Sequence, residues 1–150
     1  MFPPRAGDSW HIRLRTHGRR GNVHLEAPIP VGVEASGLAR DQVDGWLSAS
    51  LGEEIAERAR LATSEIVTNA VRHGALDRDE ALRLSVDVDP TAVRVTVEQS
   101  SEAAGAALVP PEQRGPDGGF GLAIVAEVTD RWGVDDGPPG RVWFEVDRPT

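Results

Sequence analysis

At 150 residues the chain suits one domain with a sizeable core, and its 39% hydrophobic and 27% charged residues are ordinary for a soluble globular protein. A net charge of -8 argues against a general nucleic-acid binder, because the phosphate backbone would repel such a surface. The chain has no Cys and draws all 16 basic residues from Arg, which excludes disulfides, thiolate metal sites, Cys nucleophiles, lysine catalysis and a P-loop lysine.

Residues 1–22 carry Arg5, Arg13, Arg15, Arg19 and Arg20 against a single acid, Asp8, and form a basic arm or an extra edge strand ahead of a domain over 23–150. Trp10 to Leu14 alternates weakly, as a short strand would, and His17 to Asn22 reads as a turn. His11, His17 and His24 lack metal-ligand spacing and are expected at the surface. The first residues, M-F-P-P-R-A-G-D-S-W, lack the apolar stretch of a secretory signal, and no apolar run is long enough to span a membrane. A cytoplasmic location is therefore expected, with no membrane contact.

Val23 to Ile29 reads as a strand that ends at Pro28 and Pro30. Ala35 to Leu51 reads as a helix with Leu38, Val43, Trp46 and Leu47 on its buried side, broken by Gly52. A second helix runs from Glu53 to His73 and stops at Gly74, which stands where a C′ glycine would. Glu53 and Glu54 fall in its first turn, where the helix dipole favours negative charge. Ile55, Ala59, Ala62, Ile66 and Ala70 form one narrow apolar stripe along it.

Leu82, Leu84, Val86 and Val88 alternate with polar residues, Asp89-Pro90-Thr91 has turn chemistry, and Val93, Val95 and Val97 alternate again. Residues 82–98 are thus an antiparallel hairpin. From Glu98 to Gly118 periodicity is lost, and an irregular stretch of that length inside a compact domain is usually functional. Gly118-Gly119-Phe120-Gly121 then opens a segment from Leu122 to Asp130 that is apolar nearly all round, as a buried helix would be. A glycine turn at a helix start offers free N–H groups and a positive dipole end, suited to phosphate. Val142, Phe144 and Val146 face one way and Arg141, Trp143 and Glu145 the other, making a second hairpin with Val134 across Gly137–Gly140.

The chemistry concentrates on the second helix. Glu65, Asn69 and His73 stand four residues apart and share a face at the edge of the apolar stripe, where helix meets core. Polar groups there need partners, whether neighbouring loops or a bound ligand. A metal-dependent hydrolase on Glu65 and His73 would require a further His or acid cluster that the sequence does not provide.

The order of these pieces resembles the Bergerat-fold ATPases, the superfamily of gyrase-type, chaperone-type and histidine-kinase ATPases. Within it, residues 51–146 look most like the small anti-sigma-factor serine kinases and their actinobacterial relatives. L-A-T-S-E-I-V-T-N-A-V-R-H-G at 61–74 and G-F-G-L-A-I-V-A-E-V-T-D-R-W-G at 119–133 carry the resemblance. It implies an α+β two-layer sandwich, a mixed, mostly antiparallel sheet with helices on one face. It further implies ATP and Mg²⁺ as ligands, with Asn69 coordinating the Mg²⁺ that bridges the phosphates. Glu65 matches the general base that positions a water or a serine hydroxyl. Arg72, His73 and Gly74 would shape the phosphate end of the pocket. Gly119, Phe120, Gly121 and Leu122 would form the second glycine box, and Ser100 to Gly118 the ATP lid. The family places an adenine-binding aspartate where this chain has Gln99, and a glycine where it has Ser101. Gln can accept through its amide oxygen but carries no charge. Glu98 is the nearest acid, and alternation points it to the other face unless a bulge intervenes.

Two functions remain open on this reading. One is an ATP-binding regulator that phosphorylates or sequesters a protein partner in transcription control, a sigma factor or an antagonist protein, with homodimerisation as an option. The other is a protein-binding module of the same fold whose nucleotide use is degenerate or lost.

Overall fold

The computed structural model describes residues 22–73, 81–99, 120–135 and 140–149. Eight elements follow in order: β1 (Val23–Pro30), α1 (Ala35–Leu51), α2 (Glu53–His73), β2 (Ala81–Val88), β3 (Ala92–Gln99), α3 (Phe120–Val128), β4 (Arg131–Asp135) and β5 (Gly140–Asp147). The expected strand at 10–14, the turn after it, the lid stretch 100–118, Gly119 and Gly74 lie outside the described residues.

The strands form a five-stranded sheet in the order β1-β2-β3-β5-β4, and every described pairing is antiparallel. Helices cover one face, giving the expected two-layer α+β architecture. The parallel component implied by a mixed sheet is not found among the described strands. β1 runs through Pro28 to Pro30, not ending at the first proline. It lies at the sheet edge, the position where a missing N–H is tolerated.

Alternation sorts each strand between helices and solvent. Leu25, Ala27 and Ile29, Leu82, Leu84 and Val86, Val93, Val95 and Val97, and Val142, Phe144 and Val146 are all buried on the helix side. On α2 the whole predicted stripe, Ile55, Ala59, Ala62, Ile66 and Ala70, is buried there too. On α1 the buried line is Ala35, Ala39, Val43 and Leu47. Leu38 and Trp46, expected on that side, are only half-buried, because the i, i+4 line runs through small alanines that a hydropathy reading underweights. Between the two helices Gly52 takes φ 89°, a value that L side chains rarely adopt. Arg60 then reaches back to Asp44 at 3.0 Å, tying α2 to α1.

α3 departs from expectation. Of its described side chains Val125 is buried, while Ala123 and Ala126 are exposed and Ile124 and Val128 lie between. The helix is held mainly by α2, where Arg58 donates to the Val128 carbonyl at 2.8 Å and to Asp130 at 3.2 Å. A cation at the last carbonyls of a helix is favoured by the dipole.

Among the described residues no helix covers the other sheet face, and its side chains include three cross-strand rows set by the register. One reads His24–Asp87–Arg94–Glu145–Arg131 and another Arg83–Glu98–Arg141–Asp135, with the sign of charge alternating along each when His24 is protonated. Between them lies Glu26–Ser85–Thr96–Trp143–Gly133. Arg94 pairs with Glu145 at 3.1 Å and its guanidinium stacks 4.2 Å from the Trp143 ring centroid. Arg141 pairs with Glu98 at 2.9 Å. His24, expected as a plain surface residue, instead bridges Asp87 and Glu26, the latter at 3.0 Å.

Two predictions follow from this face. A Cβ built on Gly133 would stand 2.6 Å from the Trp143 indole. Gly133→Ala is expected to destabilise by roughly 1–3 kcal/mol through overpacking, and much less in a Trp143→Leu background, as a double-mutant cycle by urea denaturation would read. Burial pulls the His24 pKa down, but hydrogen bonds to Glu26 and Asp87 and their charges outweigh it, so it is raised from 6.5. A raised folded-state pKa gives stability fully present below the unfolded value and lost as pH rises through the folded one. Relative to His24→Gln, the wild type should therefore be more stable at pH 5.5, with the advantage fading above neutrality in pH-resolved urea titrations.

Candidate functional site

The candidate site lies where the last two turns of α2 meet the end of β3. Glu65 and Asn69 sit one turn apart on α2, at the border of its buried stripe. Glu65 is half-buried, and Asn69 is buried with 6% exposure. The stripe is made mainly of alanines, so the helix approaches the sheet closely and its polar border is carried inward with it.

Strand alternation continues to the last residue of β3. Val93, Val95, Val97 and Gln99 all face the helices, and Gln99 is fully buried. Glu98 points to the open face and is occupied by Arg141. The pairing of β3 with β2 and β5 runs unbroken from Val93 to Gln99, so no bulge turns Glu98 inward. The buried polar group at this position is the Gln99 amide. Its Nε2 donates to the Ala70 carbonyl at 3.4 Å, joining the end of β3 to the last turn of α2 directly beside Asn69. Its Oε1 is buried with no hydrogen-bond partner among the described residues, as are Trp46 Nε1 and Thr63 Oγ1. An unpaired buried acceptor costs about 1–3 kcal/mol, which a ligand carrying an N–H donor would recover.

Of the remaining expected site residues, Arg72 and His73 belong to the backbone of α2 and Phe120, Gly121 and Leu122 to the first turn of α3, their side chains lying outside the description. The structure thus places Glu65 and Asn69 one turn apart on α2 and hydrogen-bonds Gln99 to Ala70, the residue after Asn69. The α3 N-terminus belongs to a helix packed on the same α2. Ala70 is a participant the sequence did not flag, because it acts through its backbone carbonyl. Among the described residues no group of three or more His, Asp or Glu side chains is placed to hold a metal ion, and the His73 side chain lies outside the description. No described helix is long and apolar enough to cross a membrane.

The sequence pattern of the histidine kinase-like ATPase domain matches residues 29–143, and the chain belongs to that family. A search of curated proteins returns no match. Among solved structures, the chain resembles the crystal structure of the RsbU and RsbW domains of a Mycobacterium tuberculosis protein, with a TM-score of 0.64 at 18% identity. That match covers 85% of this chain and 33% of the other, so the chain spans about a third of its neighbour's length.

If the Gln99 oxygen awaits a ligand, Gln99→Met should leave the unliganded protein within about 1 kcal/mol of wild-type stability, since it removes an unpaired acceptor together with one long hydrogen bond. Urea denaturation without nucleotide checks this.

Proposed function

We propose that this histidine kinase-like ATPase domain binds Mg-ATP between α2, the end of β3 and the start of α3, and regulates a protein partner in the manner of an anti-sigma-factor serine kinase. The observation that carries the reading is the fully buried Gln99, whose Nε2 donates to the carbonyl of Ala70, next to Asn69, and whose Oε1 has no partner among the described residues. A purine amino group is a donor of the kind this acceptor lacks.

The residue chemistry suits the remainder of the nucleotide. Asn69 would supply a neutral oxygen ligand to Mg²⁺, which when bound neutralises phosphate charge. The first N–H groups of α3 have no intrahelical acceptor and would hold phosphate oxygens. Glu65, one turn before Asn69, would accept a proton from a serine hydroxyl of the partner. That oxygen would attack the γ-phosphorus as the bond to the β–γ bridging oxygen breaks and ADP departs. Arg72, His73, Gly74, Gly119, Gly121 and the stretch 100–118 remain the proposed walls and lid of the phosphate end. The partner, a sigma factor or an antagonist protein, belongs to the proposal by family likeness, as do homodimerisation and a cytoplasmic setting.

A second reading has one observation in its favour. Gln99 stands where the family carries a charged acceptor, so nucleotide use could be lost and the fold kept for protein contacts alone. Calorimetric titration of Mg-ATP into the full chain separates the two. Micromolar binding is expected for the wild type, weakened at least about tenfold in Asn69→Ala, a loss on the scale of a buried polar contact. No heat at millimolar nucleotide in a folded sample would leave the protein-binding module as the function.

A further inference from the structure

The backbone N–H of Asp89 donates to the Ala92 carbonyl at 3.0 Å, so residues 89 and 92 are a hydrogen-bonded pair at the β2–β3 turn. Bonded and non-bonded pairs alternate along an antiparallel ladder, which turns the backbone groups of Val88, Val86, Leu84 and Leu82 toward β1. Their partners there are Val23, Leu25, Ala27 and Ile29. His24, Glu26, Pro28 and Pro30 therefore direct their backbone groups at the outer edge of the sheet, beyond which no described strand lies. Two of those four residues have no N–H. The edge is thus closed to pairing at its Pro28–Pro30 end and keeps its donors at His24 and Glu26. Above it, α1 packs on β1 while α2 packs on β3 and β5. Arg60 binds Asp44 on the flank of α1 that meets α2. Leu38, Gln42 and Trp46 lie on the opposite flank, on the side of the β1 edge, and all three are only half-buried.

We propose that the outer edge of β1 takes the chain's own segment Trp10–Arg15 as a sixth, antiparallel strand. Alternation selects one register. With Leu14 opposite Leu25, Ile12 falls opposite Ala27 and Trp10 opposite Ile29, and the three apolar side chains extend the helix-side face toward Leu38 and Trp46. Arg13 then stands opposite Glu26 on the charged face, and Arg15, opposite His24, lies diagonal to the same carboxylate. A slip of one residue would put the apolar set among the charges and Arg13 beneath α1. In this register Thr16 meets Val23, and the connection is His17 to Asn22, the stretch with turn chemistry. The charges favour the same union: residues 1–21 carry five Arg against one acid, a formal +4, which leaves -12 on the rest of the chain. A tether this short also holds the strand at high effective concentration beside its edge.

Nuclear magnetic resonance of the full chain tests the pairing. In the wild type, α-proton contacts are expected between Leu14 and Leu25 and between Ile12 and Ala27, the non-bonded pairs whose backbones stand closest. The His24 and Glu26 amides should exchange with solvent at least about tenfold more slowly than in Leu14→Asp, which sets a charge on the buried face. Both signatures should hold on tenfold dilution. Lack of the α-proton contacts overturns the proposal without any variant having to fold, and so does equal exchange in wild type and Leu14→Asp. Protection that is lost on dilution assigns the edge to a second copy of the chain and overturns it as well.

Discussion

A helix can lie close on a sheet only where the stripe it presents is small. α2 meets that condition with Ala59, Ala62 and Ala70 around Ile66, all fully buried. Larger residues along this line would lift the helix, and overpacking of that kind typically costs 1–3 kcal/mol. The close approach has consequences at both ends of the helix. At its beginning Arg58 comes within 2.8 Å of the Val128 carbonyl, which fixes α3. At its end the Ala70 carbonyl comes within reach of Gln99, which fixes the mouth of the site. The polar border of the stripe, Glu65 and Asn69, is thereby carried to the seam between layers, where a polar side chain must find a partner or a ligand.

The sheet can afford a single helix layer because of how its other face is finished. Antiparallel sheets tolerate water on one side, provided that side is polar. Here the register places opposite charges directly across from one another in two rows, and exposed pairs of this kind are each worth at most about 1 kcal/mol. Their role is less to add stability than to leave the face satisfied within itself, with Arg94 lying over the one large aromatic ring. His24 belongs to this scheme as the cation at one end of a row, between Asp87 and Glu26.

What the sequence made legible is what periodicity encodes. The alanine-rich stripe of α2, the hairpin of β2 and β3, and the pairing of Val134 with Val142 were all readable, because each is a property of one element or of two neighbours. What escaped depends on longer-range placement. α3 is apolar nearly all round yet exposes Ala123 and Ala126, because the exposure of a helix is decided by which neighbours reach it. His24 gains its partners from a strand 63 residues away. The inward direction of Gln99 was legible from alternation, but its partner was not, since any residue type can offer a carbonyl and none announces it.

The Gln99 oxygen also bears on whether this fold has merely outlived its ligand. An interior shaped for stability alone has no use for an acceptor without a donor, and an apolar side chain of similar length would remove a penalty of about 1–3 kcal/mol. A protein-binding module with no nucleotide to hold would recover that penalty less the hydrogen bond to Ala70 that the same exchange removes, and Gln99, fully buried, presents nothing to its surface. The amide that is present does two things an apolar residue cannot: it ties the last turn of α2 to the sheet, and it leaves an acceptor with no donor among the described residues. The first is structural and would be served as well by a residue that only donates. The second is what the proposed nucleotide reading draws on, since only a side chain with an acceptor could meet a ligand N–H there.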